Sequence, residues 1–121
     1  MSIELKSHQK KAVQKLSNGK ILYGGVGSGK TLTSLAYYLE KESDKKLLII
    51  TTAKKRDSND WVNEAALLGI IELTVDSWQN IRKYEDVQNV LLIADEQRLV
   101  GKGAWTKSFI KIAKNNHWIL L

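Results

Sequence analysis

Eight consecutive residues limit the fold of this chain more than any others. Gly24-Gly25-Val26-Gly27-Ser28-Gly29-Lys30-Thr31 satisfies the pattern G-x-x-x-x-G-K-[ST] without mismatch. On one side lies the short β-type run Lys20-Ile21-Leu22-Tyr23. On the other, Leu32, Leu35, Ala36 and Leu39 recur at i, i+3, i+4 and i+7, one apolar stripe of a helix. Strand, glycine-rich loop and helix in that order form an anion cradle. The glycines allow backbone conformations that turn successive N–H groups inward, and the following helix adds the positive end of its dipole. Lys30 places an ammonium near the β and γ phosphates of a nucleotide, and the Thr31 hydroxyl is a hard oxygen suited to Mg²⁺. The octad therefore predicts binding of a nucleoside triphosphate, ATP with Mg²⁺.

The rest of the chain repeats the alternation. Leu47-Leu48-Ile49-Ile50-Thr51 and Val90-Leu91-Leu92-Ile93-Ala94 are continuous apolar runs, as expected of strands covered on both faces. Glu72-Leu73-Thr74-Val75 is a weaker strand and His117-Trp118-Ile119-Leu120-Leu121 a fifth. Ala12, Val13 and Leu16 mark an N-terminal helix starting near Ser7. Trp61, Ala65 and Leu68 mark another, with Ser58 or Asp60 as candidate N-cap. Asp76 is predicted to begin a short helix with Gln79 at the reciprocal capping position. Trp105, Phe109, Ile112 and Ala113 form the stripe of a late helix whose outer face carries Lys107, Lys111 and Lys114. The expected fold is α/β, a three-layer α-β-α sandwich with a mainly parallel sheet of about five strands. Ligands of such sheets bind at the carboxyl ends of the strands, which puts the chemistry just after Tyr23, Thr51 and Ala94.

One of those ends is acidic. Leu91-Leu92-Ile93-Ala94 runs into Asp95-Glu96. A carboxylate at a strand end can hold Mg²⁺ opposite the loop hydroxyl, a role suited to Asp95. Its neighbour Glu96 can orient and deprotonate an attacking water. Together with Lys30, Glu96 is the candidate catalytic group.

Composition narrows the setting. The chain has 121 residues, the size of one domain, and carries 19 Lys and Arg against 13 Asp and Glu, a net charge of +6. That excess suits a polyanionic partner and equally a lysine-rich solvated surface. With no cysteine, disulfides and thiolate metal sites are excluded. No apolar run approaches the ~18 residues needed to span a bilayer, and the first residues do not read as a secretion signal, so a cytoplasmic setting is the default. Of the four tryptophans, Trp61 and Trp105 fall on apolar helical stripes, Trp118 lies in a strand, and Trp78, after a strand end, is the candidate exposed contact for a base.

Taken together, these motifs resemble the N-terminal RecA-like lobe of superfamily 2 helicases and DNA translocases, closest to the branch of chromatin-remodeller-like ATPases and their phage relatives. The resemblance covers essentially the whole chain. Gln9, in Leu5-Lys6-Ser7-His8-Gln9, sits where that family carries a glutamine that recognises adenine. Gly24 to Thr31 corresponds to motif I. Ile50-Thr51-Thr52-Ala53-Lys54, followed by Trp61 and Glu64, looks like motif Ia, and Thr74-Val75-Asp76-Ser77-Trp78 occupies the place of motif Ib. There Thr51, Thr52, Lys54, Lys55 and Arg56 are candidates for contact with a nucleic-acid backbone. Asp95-Glu96-Gln97-Arg98 stands in the position of the DExx box, but ends in Arg98 where the family has His or Asp. What the resemblance implies is an ATPase working on nucleic acid, DNA before RNA, and completed by a second RecA-like lobe in cis or trans. That lobe would supply an arginine finger, worth about 10³–10⁵ in rate. The same residues also allow a stand-alone or designed P-loop nucleotide-binding module with little ATPase activity.

Overall fold

A computed structural model describes residues 6–21, 29–95 and 103–121. The elements run α1 (Ser7–Lys15), β1 (Lys20–Ile21), α2 (Lys30–Lys41), β2 (Lys46–Thr51), α3 (Ala53–Asp57), α4 (Asp60–Leu67), β3 (Thr74–Ser77), a 3₁₀ helix (Trp78–Tyr84), β4 (Val90–Ala94), α5 (Ala104–Asn115) and β5 (His117–Leu120). All strand pairs are parallel, and the order across the sheet is β1-β5-β4-β2-β3. Four strands of four to six residues carry the sheet, and β1 adds a two-residue edge.

The continuous apolar runs have the expected cause. Every residue of β4 is buried, as are five of the six in β2, because each strand feeds a core on both faces. Leu47, Ile49, Leu91, Ile93 and Ile119 face α1, α2 and α4, where they meet Val13, Leu16, Leu35, Trp61 and Ala65. Their alternates Leu48, Ile50, Leu92, Ala94 and Leu120 face the 3₁₀ helix and α5, where they meet Trp78, Ile81, Phe109 and Ile112. Helices on both faces of a parallel sheet give the expected three layers.

Several local expectations are corrected. The buried face of α2 is Thr33, Ser34, Leu35, Tyr37 and Tyr38, while Leu39 is largely exposed. Two tyrosines can join the core because their hydroxyls find acceptors: Tyr37 donates to Glu42 Oε2 (2.7 Å) and Tyr38 to the Lys45 carbonyl (2.6 Å). The cap of α4 is Asn59, at φ 61°, rather than Ser58 or Asp60, because a separate turn of helix, α3, already uses Ser58 at its end. Asp76 lies within β3, which ends at Ser77, two residues later than the predicted strand, and the 3₁₀ helix begins after Ser77 without a reciprocal cap at Gln79. Trp78 is also not an exposed contact. It is 1% exposed, stacked near Trp105 at 6.2 Å between centroids.

Asn116 joins α5 to β4. Its amide donates to the carbonyls of Val87 (2.9 Å) and Ile112 (3.0 Å), and its Oδ1 accepts from the Val90 amide (3.1 Å). Replacing it by Leu keeps the volume but strands these buried backbone groups. Asn116→Leu is expected to lower the unfolding free energy by about 2–3 kcal/mol, measured by urea denaturation.

Candidate nucleotide and metal site

The carboxyl ends of β2 and β4 meet at Asp95, the first polar residue after β4. Its amide donates to the Ile50 carbonyl (2.8 Å), which fixes the backbone one step beyond the strand. Its side chain is nearly buried, and among the described residues Oδ2 accepts from three donors. These are the Thr51 hydroxyl (2.8 Å), the Lys55 ammonium (3.2 Å) and the Trp61 indole N–H (3.3 Å). Trp78 reaches from the other face of the sheet and donates to the Asp95 carbonyl (2.8 Å). Asp95 is thus bonded from both helical layers.

The end of the glycine-rich loop faces the same edge of the sheet. Gly29 takes φ 76°, ψ 29°, a left-handed conformation, and Lys30 and Thr31 open α2. Thr31 is held at the helix start, where its carbonyl accepts from the buried Ser34 hydroxyl (2.8 Å). A pocket of about 240 Å³ opens beside it, lined by Thr31, Lys55, Asp60, Trp61, Asn63 and Glu64. Lys55 and Trp61 line this pocket and also bond Asp95, so the loop hydroxyl and the strand-end carboxylate share neighbours. Strand β5 separates β1 from β4, which spaces the strand ends roughly 10 Å apart and leaves room for a phosphate and a cation.

Gln9 also comes to the loop. Its Oε1 accepts from the Lys6 amide (2.9 Å), and its Nε2 makes a long contact to the Gly29 carbonyl (3.5 Å). The structure therefore brings Gln9, Gly29, Lys30, Thr31 and Asp95 to one edge. Gly24, Gly25, Val26, Gly27, Ser28, Glu96, Gln97 and Arg98 lie outside the described residues.

The basic candidates in the segment after β2 divide. Lys55 is turned onto Asp95, and Arg56 onto Asp57 (2.9 Å) and Asp76 (3.1 Å), whereas Lys54 is exposed. Thr51 is buried and bonded to Asp95, and Thr52 caps α3 by accepting from the Lys55 amide (3.2 Å). Asp76 is a hub that sequence reading missed. Burial pushes its pKa up, but hydrogen bonds from Tyr84 (2.6 Å), Asn80 (2.8 Å), the Ser77 amide (2.7 Å) and Arg56 outweigh this and bring it down to about 2. Glu64 moves the other way, raised by burial and then by the nearby Asp60. Its Oε2 is buried and has no hydrogen-bond partner among the described residues. Of the residues lining this pocket, the sequence singled out Thr31 as a metal ligand, Lys55 as a backbone contact, and Trp61 and Glu64 through the resemblance to motif Ia. Nothing there pointed to the Trp78 bond, because an indole N–H reaching across a sheet has no local pattern.

No family model matches the sequence, and no curated protein does. Among solved structures, the Sulfolobus solfataricus SWI2/SNF2 ATPase core in complex with dsDNA is similar to this chain, with a TM-score of 0.73 and 17% identity. The similarity covers 98% of this chain and 31% of that one. At this identity the likeness speaks to fold, and the fold is that of a RecA-like domain. Among the described residues, no helix is long and apolar enough to cross a membrane.

Two outcomes are expected. Gly29→Ala forces a Cβ onto a left-handed residue and against the Gln9 amide. It should cost about 1–2 kcal/mol from conformation alone, with a further steric loss that Gln9→Ala relieves; denaturation of the single and double variants separates the two. For Asp76, a folded pKa of about 2 against an ordinary 3.8 means that its stabilisation is complete above pH 4 and is lost as pH falls through 2. About 2 kcal/mol of unfolding free energy should disappear across that window, and Asp76→Asn should remove this part of the acid dependence.

Proposed function

We propose that this chain is the ATP-binding lobe of an ATP-driven motor on nucleic acid, DNA before RNA, that hydrolyses ATP when a second RecA-like lobe completes its site in cis or in trans. The whole span from residue 1 to 121 is read as one lobe. The observation that carries the reading is that Thr31, beside Lys30 at the start of α2, lines a pocket with Lys55 and Trp61, both of which bond Asp95 at the end of β4. The loop pattern before them and a fold shared with a DNA-bound SWI2/SNF2 ATPase core support it further.

The donor set fits the ligands. The Thr31 hydroxyl and Asp95 carboxylate are hard oxygens suited to Mg²⁺, and the ammonium of Lys55 already sits where Asp95 would meet a cation. Bound Mg²⁺·ATP would supply an electrophilic γ-phosphorus and neutralise its charge. The protein's part is positioning. The backbone from Gly24 to Gly29 cradles phosphate, with Val26 and Ser28 between the glycines. Lys30 would hold the β and γ oxygens, Gln9 would read adenine, and Glu96 would orient and deprotonate the attacking water.

A second reading is favoured by one observation. Lys55 and Arg56 spend their charge on Asp95 and Asp76, which takes two of the candidate nucleic-acid contacts out of the count. On that basis the chain would be a nucleotide-binding module with little turnover.

ATP turnover and binding separate the two. With single- or double-stranded DNA present, turnover should rise and be abolished in Glu96→Gln; without a second lobe it should remain slow. Mg²⁺-dependent ATP binding should be lost in Lys30→Ala. If Lys30→Ala binds ATP as tightly as the wild type, the phosphate site is wrong. Binding without DNA-stimulated turnover would favour the module.

A further inference from the structure

Lys55 is paired with one carboxylate and shares a pocket with another. It bonds Asp95 at 3.2 Å, and it lines the pocket that also holds Glu64, whose Oε2 is buried without a partner among the described residues. A buried carboxylate oxygen left unsatisfied calls for a donor that arrives in another state. The Lys55 side chain is 42% exposed and that of Asp95 9%, so the flexible lysine, not the aspartate, has room to move.

We propose that Lys55 exchanges carboxylates, pairing with Asp95 while the phosphate site is without metal and turning to Glu64, across their shared pocket, when Asp95 takes the Mg²⁺ of a bound nucleotide. This rests on the phosphate-site reading above and assigns Glu64 a positioning role that reading does not include. The physical case is electrostatic. An ammonium and a divalent cation on the same carboxylate repel each other strongly in a partly buried site, so Lys55 must give way. A lysine leaving Asp95 gives up that ion pair, and Glu64 provides a replacement charge within the same pocket. Thr51 and Trp61 hold the Asp95 carboxylate by neutral hydrogen bonds, and neither opposes an incoming cation by charge. Glu64 therefore stabilises the loaded lobe relative to the empty one without touching phosphate. Lys55 also belongs to α3, beside the exposed Lys54, so the exchange carries the state of the nucleotide site into the segment after β2.

The test is a double-mutant cycle on nucleotide affinity, read by titration calorimetry with ADP in excess Mg²⁺ and with ADP in EDTA. Glu64→Gln should weaken the Mg²⁺-dependent affinity roughly two- to tenfold and leave the metal-free affinity unchanged. In a Lys55→Met background, Glu64→Gln should have no effect. Lys55→Met alone should strengthen Mg²⁺-dependent binding, because the competing cation is gone. Melting curves check that each variant folds. Should Glu64→Gln fail to, Glu64→Asp, which draws the carboxylate back from Lys55, replaces it with the same expectation. Equal effects of the Glu64 change in both backgrounds, or none in either, overturn the exchange while leaving the phosphate site standing. A wild-type chain whose Mg²⁺·ADP affinity matches that of Lys30→Ala overturns the phosphate site itself and the exchange with it.

Discussion

The burial of β4 on both faces is the constraint on which the rest depends. From Val90 to Ala94 no side chain has access to water, so none can be polar without a partner inside. The first charged group the strand can carry is the one after it, Asp95, and that group comes out at the carboxyl edge of the sheet. The same rule applied to β2 makes Thr51 the first polar residue after its buried apolar run Leu47 to Ile50, at the same edge, where its hydroxyl meets Asp95 at 2.8 Å. Polar groups gather at this edge because the interior of the sheet excludes them.

Much of this was legible from the residues. The apolar runs of β2 and β4 were read at nearly their observed limits, since a doubly covered strand has a signature that no neighbour can disguise. The α5 stripe of Phe109 and Ile112 was equally clear. The reading failed where a polar group did apolar work. Tyr37, Tyr38 and Ser34 fill the inner face of α2, and their burial depends on acceptors in Glu42, Lys45 and Thr31. Such pairings are set by tertiary contact and leave no period in the sequence. Asp76 failed for a related reason. An aspartate before a short helix looks like a cap, but its carboxylate is here held by Tyr84, Asn80 and Arg56, the last of which lies twenty residues earlier.

The site itself was half legible. The loop pattern and the acidic pair single out Lys30, Thr31 and Asp95 as candidates on chemical grounds, because phosphate and Mg²⁺ restrict which residues can serve. What the sequence could not convey is how Asp95 is held. Lys55 was read as a candidate contact for a nucleic-acid backbone; its ammonium bonds Asp95 while the side chain stays 42% exposed, since a nearly buried carboxylate attracts the nearest flexible cation. Trp78 was read as exposed from its place after a strand, yet its ring closes the core beneath α5.

Two indoles, one from each face of the sheet, end on the same residue: Trp61 on the Asp95 carboxylate and Trp78 on its carbonyl. Both rings are 1% exposed, so their emission is shielded from solvent quenchers and governed by the local field. Any redistribution of charge at Asp95 acts on one ring through the side chain and on the other through the backbone. The molecule therefore carries two intrinsic fluorophores hydrogen-bonded to its own acidic centre.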